Sequence, residues 1–168
     1  MSIQKALSIE LEREKDNTLR MLKALPNEQF GWKPHEKSMS LGELANHVVE
    51  LHNWVSFVFN KEGLDFRADY IPSTLKTKEE LIAVLEKGYE ENSKVVANLN
   101  EENYFSNWTL KAGEHVIAEM PKAGAIRFIV TNHLIHHRGQ LSVYLRLLNV
   151  PVPGIYGPSA DDQMPTFE

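Results

Sequence analysis

Two histidines four residues apart near the C-terminal end of the chain have the spacing of metal ligands. His133 and His137 would lie one turn apart on the same face of a helix, because residues four apart are neighbours there. Imidazole is a good ligand for nickel, zinc, copper and iron, and this spacing lets two imidazoles reach one ion. The pair is therefore a candidate for metal binding.

A third histidine could complete such a site from another helix. His47 lies three residues after Leu44 and four before Leu51, which both belong to the apolar stripe of their segment. Its side chain should therefore point to the interior, where the facing helices of a bundle build metal sites. Three protein ligands would leave a coordination position for water or a substrate, as in catalytic sites.

Other side chains near these histidines are less favourably placed for metal binding. His52 lies five residues after His47, and this step turns it well around the helix, so we expect it outside or at a rim. His136 is rotated away from the His133 and His137 pair. Glu50, one turn after His47, could orient that imidazole or lie on the surface.

An arrangement without metal also fits these residues. A histidine on an apolar face is commonly a packed side chain with a hydrogen-bond partner, and the three could be core residues of a helical dimer. Two unpaired imidazoles in a core would, however, cost free energy to desolvate, so they need an ion or a shared partner. A closed, non-catalytic metal site would need a fourth ligand, for which His136, Glu50 or the Asp161-Asp162 pair are candidates.

The composition limits the classes of function. The 168 residues, 42% hydrophobic and 24% charged, predict one globular domain over residues 1–168. A net charge of −5 argues against nucleic-acid binding, which needs a basic face. Without cysteine there is no thiolate metal site, and any thiol must come from a substrate. We see no signal peptide and no apolar run of about 20 residues, and expect a cytoplasmic protein that does not bind membranes.

Four amphipathic segments should form the helices that position the histidines. They span about residues 2–25, 41–60, 78–99 and 122–149. Ser2 can cap the first segment. Ser40 with Glu43, and Thr77 with Glu80, have the pattern of capping boxes at the starts of the second and third.

The fourth segment should present the histidine pair to the interior. Its expected inward row is Ile126, Val130, His133, His137, Tyr144 and Leu147. Before it, apolar residues flank the segment Lys111-Ala112-Gly113-Glu114, which favours a β-hairpin. The predicted fold is all-α, a four-helix bundle with a small β-hairpin between helices three and four.

Three motifs resemble the DinB/YfiT-like family of proposed metalloenzymes, a family named for induction by DNA damage. They are FGWKP at 30–34 with SMSLGEL at 38–44, HLIHHRGQL at 133–141, and VPVPG at 150–154 with YGPSAD at 156–161. Their order and spacing span the whole chain.

The resemblance implies a fold, a ligand set and several activities. The fold would be a bundle with up-down-down-up order, its crossover in residues 61–76, often as a homodimer. The ligands, one histidine in helix two and two residues four apart in helix four, correspond to His47, His133 and His137, with nickel or zinc as the metal. The implied activity on a small-molecule substrate is an S-transferase with a low-molecular-weight thiol as co-substrate. The alternatives are a metal-dependent hydrolase and a non-catalytic, metal-binding stress-response protein.

Overall fold

The computed structural model describes residues 1–162 and consists mainly of helices, with one small sheet. The α-helices are α1 (Ile3–Lys23), α2 (Leu41–Asn60), α3 (Lys78–Ala97), α4 (Glu101–Phe105), α5 (Lys122–Gly124) and α6 (Asn132–Leu147). A 3₁₀ turn covers Asn27–Gln29, and a π-helical segment, Ala125–Thr131, joins α5 to α6 without a break. The strands are β1 (Gly63–Asp65), β2 (Asn107–Ala112) and β3 (His115–Pro121). Over residues 1–162, no helix is both long and apolar enough to cross a membrane.

The predicted starts of the first three long helices are confirmed by their caps. The Ser40 hydroxyl accepts a hydrogen bond from the Glu43 amide at 3.2 Å, and the Glu43 carboxylate accepts one from the Ser40 amide at 2.7 Å. Thr77 and Glu80 form the same reciprocal pair at the start of α3, and Ser2 caps α1. These bonds satisfy amide groups that a helix leaves free in its first turn.

The predicted hairpin is confirmed, but the sheet also contains a strand that the sequence did not predict. Strand β2 pairs antiparallel with β3, and Gly113 has φ of 66° in the turn between them. Strand β1 pairs parallel with the outer edge of β2, with Gly63 opposite Thr109. A Cβ on Gly63 would lie 2.4 Å from the Thr109 carbonyl oxygen, so this close approach requires glycine. The fold is therefore mostly helical rather than all-α.

The core consists of two large apolar clusters, a third small cluster of Val48, Leu51 and Leu134, and a layer of buried polar side chains. Helix α2 packs against α3 and α6, and α1 packs against α3. One large cluster includes Leu11, Val58, Trp108 and Ile126, and the other includes Leu22, Leu44, Leu85 and Leu141. Between these two along the helices lie the buried polar side chains: Glu14, Asn17, Thr18, His52, Asn92 and Arg138.

The prediction that His52 lies outside or at a rim is wrong. The side chain is only 3% exposed, and its Nε2 lies 2.8 Å from the Thr18 hydroxyl oxygen in the polar layer. Helix α2 contacts α1, α3 and α6, so its buried face is much wider than one stripe. A side chain that points away from His47 around α2 therefore meets another helix and not solvent.

The expected inward row of the fourth helix is wrong beyond Val130. The buried row continues through Leu134, Leu141 and Leu145, while Leu147 is 56% exposed. Residues three and four apart share one face of a helix, and from Val130 the buried row takes the step of four residues to Leu134 rather than the step of three to His133. The His133 and His137 pair consequently lies beside the buried row and not within it.

Candidate metal centre

Three half-buried histidines from α2 and α6 meet at one point. Nε2 of His133 lies 3.5 Å from Nε2 of His47 and 2.8 Å from Nε2 of His137. One nitrogen from each ring falls within 4.8 Å of the others, a grouping that could hold a metal ion. The structure thus brings together all three histidines that the sequence singled out.

The rings of His47 and His137 are oriented by hydrogen bonds at Nδ1, on the side of each ring that faces away from the cluster. Nδ1 of His47 lies 3.1 Å from a carboxylate oxygen of Glu50, and Nδ1 of His137 lies 2.7 Å from Oε1 of Gln140. A carboxylate and an amide oxygen can only accept, so each Nδ1 carries the hydrogen and each Nε2 keeps its lone pair. Metal-binding histidines are oriented in this way in proteins.

Glu50 connects His47 to the link between α2 and α3. Its carboxylate also accepts a hydrogen bond from the Tyr70 hydroxyl at 2.8 Å and another from the amide of Ser73. One turn earlier, Asn46 accepts from the Ser73 hydroxyl at 2.7 Å and from the Leu75 amide at 3.0 Å. Residues 70–75 are therefore fastened to the same face of α2 that carries His47.

The protonation of the site favours neutral imidazoles. Burial, together with the charge that His137 and His47 could carry, lowers the pKa of His133 to about 4. Burial also lowers the pKa of His137. For Glu50, burial raises the pKa, but the hydrogen bonds from His47, Ser73 and Tyr70 outweigh it and the net pKa is lowered. Neutral imidazoles are the form that binds metals.

A cavity of about 580 Å³ opens beside His47. Its floor includes His47 and Glu50 from α2, and its walls come from residues 33–39 before α2 and from residues 70–73 after it. Met39, Tyr70 and Pro72 provide apolar surface, while Lys33 and Lys37 provide ammonium groups. A small molecule in this cavity would contact the histidine cluster from the side of His47.

None of the candidate fourth ligands joins the cluster. His136 is exposed, with its ring centroid 4.9 Å from that of His137, and it is not part of the convergent group in the described residues. Glu50 contacts the outward nitrogen of His47. Asp161 pairs with Arg146 at 2.6 Å, and Asp162 accepts from the Ser159 amide at 2.7 Å.

The sequence reasoning missed several supporting residues. Gln140 could have been found, because it lies three residues after His137 on the same helical face. Tyr70 and Ser73 gave no such signal, since they lie in an irregular link 20 and 23 residues from Glu50. The ring centroid of Trp54 also lies near the site, 6.4 Å from that of His47 and 6.0 Å from that of Phe66.

Comparison with known proteins gives one family. The model of the DinB family matches residues 1–166. A Bacillus subtilis protein described as uncharacterized, YrdA, is 26% identical over 151 residues, covering 90% of this chain and 86% of the relative.

Two solved structures share the fold. A DinB-like protein of Bacillus subtilis, YjoA, superimposes with a TM-score of 0.68 at 17% identity, covering 95% of this chain and 99% of that one. A DinB-like protein of Bacillus cereus gives a TM-score of 0.67 at 20% identity, covering 86% and 92% of the two chains.

Proposed function

Because this chain belongs to the DinB family and directs three imidazole nitrogens at one point, we propose that it is an enzyme dependent on a divalent metal. His47, His133 and His137 would hold the ion, with nickel or zinc as the expected metals. The observation that carries the proposal is the orientation of the rings. With the Nδ1 hydrogens directed at Glu50 and Gln140, the lone pairs of His47 and His137 both face His133.

Without a cation this arrangement is hard to satisfy. Nε2 of His133 can carry one hydrogen and donate it to one of the two facing nitrogens, which leaves the other lone pair unpaired in a half-buried site. One ion would satisfy all three. When bound, such a metal supplies Lewis acidity, which lowers the pKa of a coordinated thiol or water.

We propose a thiol-dependent S-transferase as the reaction class, with the cavity beside His47 as the place for the small-molecule substrate. A hydrolase gains from a second group that takes the proton of a metal-bound water, because such a water is ionised only near neutral pH. Glu50 is poorly suited, because three donors already occupy its carboxylate and its pKa is lowered. A substrate thiol needs no such base once it is ionised, and the chain has no cysteine of its own. The proposed setting is the cytoplasm, where small thiols are kept reduced.

The first experiment measures metal content in purified protein without a histidine tag. We expect near-stoichiometric nickel or zinc in the wild type, and its loss in His47→Ala, His133→Ala and His137→Ala. His136→Ala is the matched control, since this exposed histidine adjoins the site and is not directed at it. No metal in the wild type after reconstitution would contradict the proposal, and so would equal loss in the control.

A second experiment separates the reaction classes. We expect 2-mercaptoethanol to change the absorption spectrum of the nickel-loaded wild type. No thiol effect at saturating nickel would exclude the transferase. Turnover of an ester, amide or phosphate panel with an ionisation near neutral pH would then indicate the hydrolase. Bound metal with neither response would indicate a non-catalytic metal-binding protein.

We propose that the four long helices form an up-down-down-up bundle. We also propose that two copies of the chain associate through α6. Val143 and Leu147 are each 56% exposed on one face of α6, and Gly139 continues this face one turn earlier. A Cβ on Gly139 would meet nothing within 4 Å, so another backbone could approach closely there. Light scattering should give a dimer for the wild type and a monomer for Val143→Glu, with Val116→Glu on the exposed hairpin as control.

A further inference from the structure

A second cavity, away from the histidine cluster, lies between α1 and the loop that follows α6. It measures about 460 Å³ and shares no lining residue with the cavity beside His47. Arg13 and Arg20 line it from α1, and residues 153–158 close it from the loop. We propose that this cavity binds a small-molecule oxyanion, carrying phosphate or carboxylate groups, between the guanidinium groups of Arg13 and Arg20.

The spacing of the two arginines suits a ligand with more than one anionic group. Seven residues make two helical turns, so Arg13 and Arg20 share one face of α1 and their Cα atoms are separated by about 10 Å along its axis. Their long side chains can converge on the cavity from its two ends. Guanidinium groups bind phosphate and carboxylate through paired hydrogen bonds, which makes arginine the preferred residue for such ligands.

Among the described residues, the arginines that line the cavity outnumber its carboxylates by two to one. Within residues 1–162, neither guanidinium forms an ion pair, although Arg127, Arg138 and Arg146 each pair with a carboxylate. Asp162 is the carboxylate that lines the cavity, and one of its oxygens accepts from the Ser159 amide. In a chain with a net charge of −5, two unpaired cations facing one cavity form a local positive site.

Buried residues hold one wall of the cavity in place. Nη2 of Arg20 donates to Oδ1 of Asn17 at 2.6 Å, and Asn17 is completely buried. The hydroxyl of Tyr156, which also lines the cavity, donates to Glu14 at 2.7 Å and contacts Arg138. Because these side chains are already ordered, a ligand loses less conformational entropy when it binds them.

The loop wall is also tied down. Oδ2 of Asp161 accepts hydrogen bonds from the Val152 amide at 2.8 Å and from Arg146 at 2.6 Å, and the Ser159 hydroxyl donates to the Val152 carbonyl. Gly154 lies so close to the loop backbone that a Cβ there would be 2.5 Å from the Gly157 carbonyl oxygen. The loop therefore presents a formed wall opposite the two arginines.

The test is calorimetric titration of metal-free protein with pyrophosphate at low ionic strength. We expect the Kd to rise about 10- to 100-fold in Arg13→Gln and in Arg20→Gln, the usual cost of losing a charged hydrogen-bond donor. Arg67→Gln is the matched control, because Arg67 is exposed, lies outside this cavity and undergoes the same charge change. Arg13→Lys and Arg20→Lys, which keep the charge but lose the paired donors, should weaken binding less than the glutamine variants.

Two further titrations define the ligand and the place. Inorganic phosphate and citrate, compared with pyrophosphate, separate phosphate from carboxylate recognition. His137→Ala should bind pyrophosphate as the wild type does, which separates this cavity from the metal centre. No binding of any of the three probes at millimolar concentration would overturn the proposal, and so would equal weakening by Arg67→Gln.

Discussion

Nδ1 of His47 lies 3.1 Å from Oε2 of Glu50, one turn further along α2, and the two side chains are only 14% and 12% exposed. The same oxygen accepts the Tyr70 hydroxyl hydrogen. The orientation of one candidate metal ligand therefore depends on a single carboxylate that also fastens the link after α2.

Replacing Glu50 with glutamine should weaken metal binding. Glutamine keeps one acceptor oxygen but replaces the other with an NH2 donor, which would face either the Ser73 amide or the donors of His47 and Tyr70, so the hydrogen bond that orients His47 is weakened or lost. We expect an approximately 10- to 100-fold rise in the Kd for nickel or zinc, measured by competition with a chromophoric chelator. Glu36→Gln, an exposed change in the wall of the same cavity, should leave the Kd unchanged. Equal affinity of Glu50→Gln and wild type would show that Glu50 does not orient His47.

Stability should fall with decreasing pH because of His52. Burial, assisted by the charge of Arg138, lowers the pKa of His52 to about 3 from an ordinary value of 6.5. Between these values the unfolded chain binds a proton that the folded chain does not, so stability is complete above pH 6.5 and is lost towards pH 3. The loss from this residue is at most about 1.4 kcal/mol per pH unit.

The contribution of His52 is measured as a difference between two proteins. Urea unfolding of metal-free wild type and His52→Gln at several pH values cancels the effect of the other histidines. We expect a shallower dependence of the free energy of unfolding on pH in His52→Gln. Parallel curves for the two proteins would mean that His52 titrates normally in the folded state.

The Arg138 and Glu14 pair should be costly to break on one side only. Both residues are buried in the polar layer, at 2% and 7% exposure, and they contact each other directly. Arg138→Met leaves the Glu14 carboxylate without its cation, and we expect a loss of about 3–5 kcal/mol in the free energy of unfolding. The double variant Glu14→Leu with Arg138→Met removes both charges and should lose less than Arg138→Met alone. A larger loss in the double variant would show that packing around the pair, and not the unpaired charge, sets the cost.

Two glycine substitutions should have opposite effects on stability. Gly63→Ala brings a Cβ within 2.4 Å of the Thr109 carbonyl oxygen, so β1 must move away from β2. We expect a loss of about 1–3 kcal/mol in urea unfolding. Gly139→Ala meets nothing within 4 Å inside the protomer and should add about 0.5–1 kcal/mol in the monomeric Val143→Glu background, because alanine favours a helix over glycine. The same change in the wild type should lose stability, because the proposed dimer brings another backbone against Gly139, and equal effects in the two backgrounds would contradict the dimer.

The elements with local signals were predictable from the sequence. Helix α2 runs over Leu41–Asn60 as predicted, because its capping box is written in four adjacent residues. The hairpin was predictable for the same reason, since its turn and flanking strands lie within 15 residues. The histidine set also followed from spacing and from the family resemblance, and Glu50 was a candidate because it lies one turn from His47.

Other features depended on contacts between distant segments. The pairing of β1 with β2 joins residues more than 40 positions apart, and nothing near Gly63 indicates its partner. Burial of His52 follows from the packing of α2 against three other helices, which a single-helix pattern does not contain. The inward row of α6 depended on the neighbouring helices, because a step from Val130 to His133 and a step to Leu134 both fit helical spacing.

The sequence by itself determined where the long helices begin, which turn makes the hairpin, and which three imidazoles could act together. The helix starts and the turn follow from hydrogen bonds and side-chain periodicity within a few residues of one another, and the grouping of His47 with His133 and His137 also rests on the family resemblance. Only the tertiary structure decided that Tyr70 and Ser73 hold Glu50, that a polar layer lies within the core, and that Arg13 and Arg20 face a cavity. Each of these depends on how separate segments pack, and that packing minimises the free energy of the whole chain rather than of any one segment.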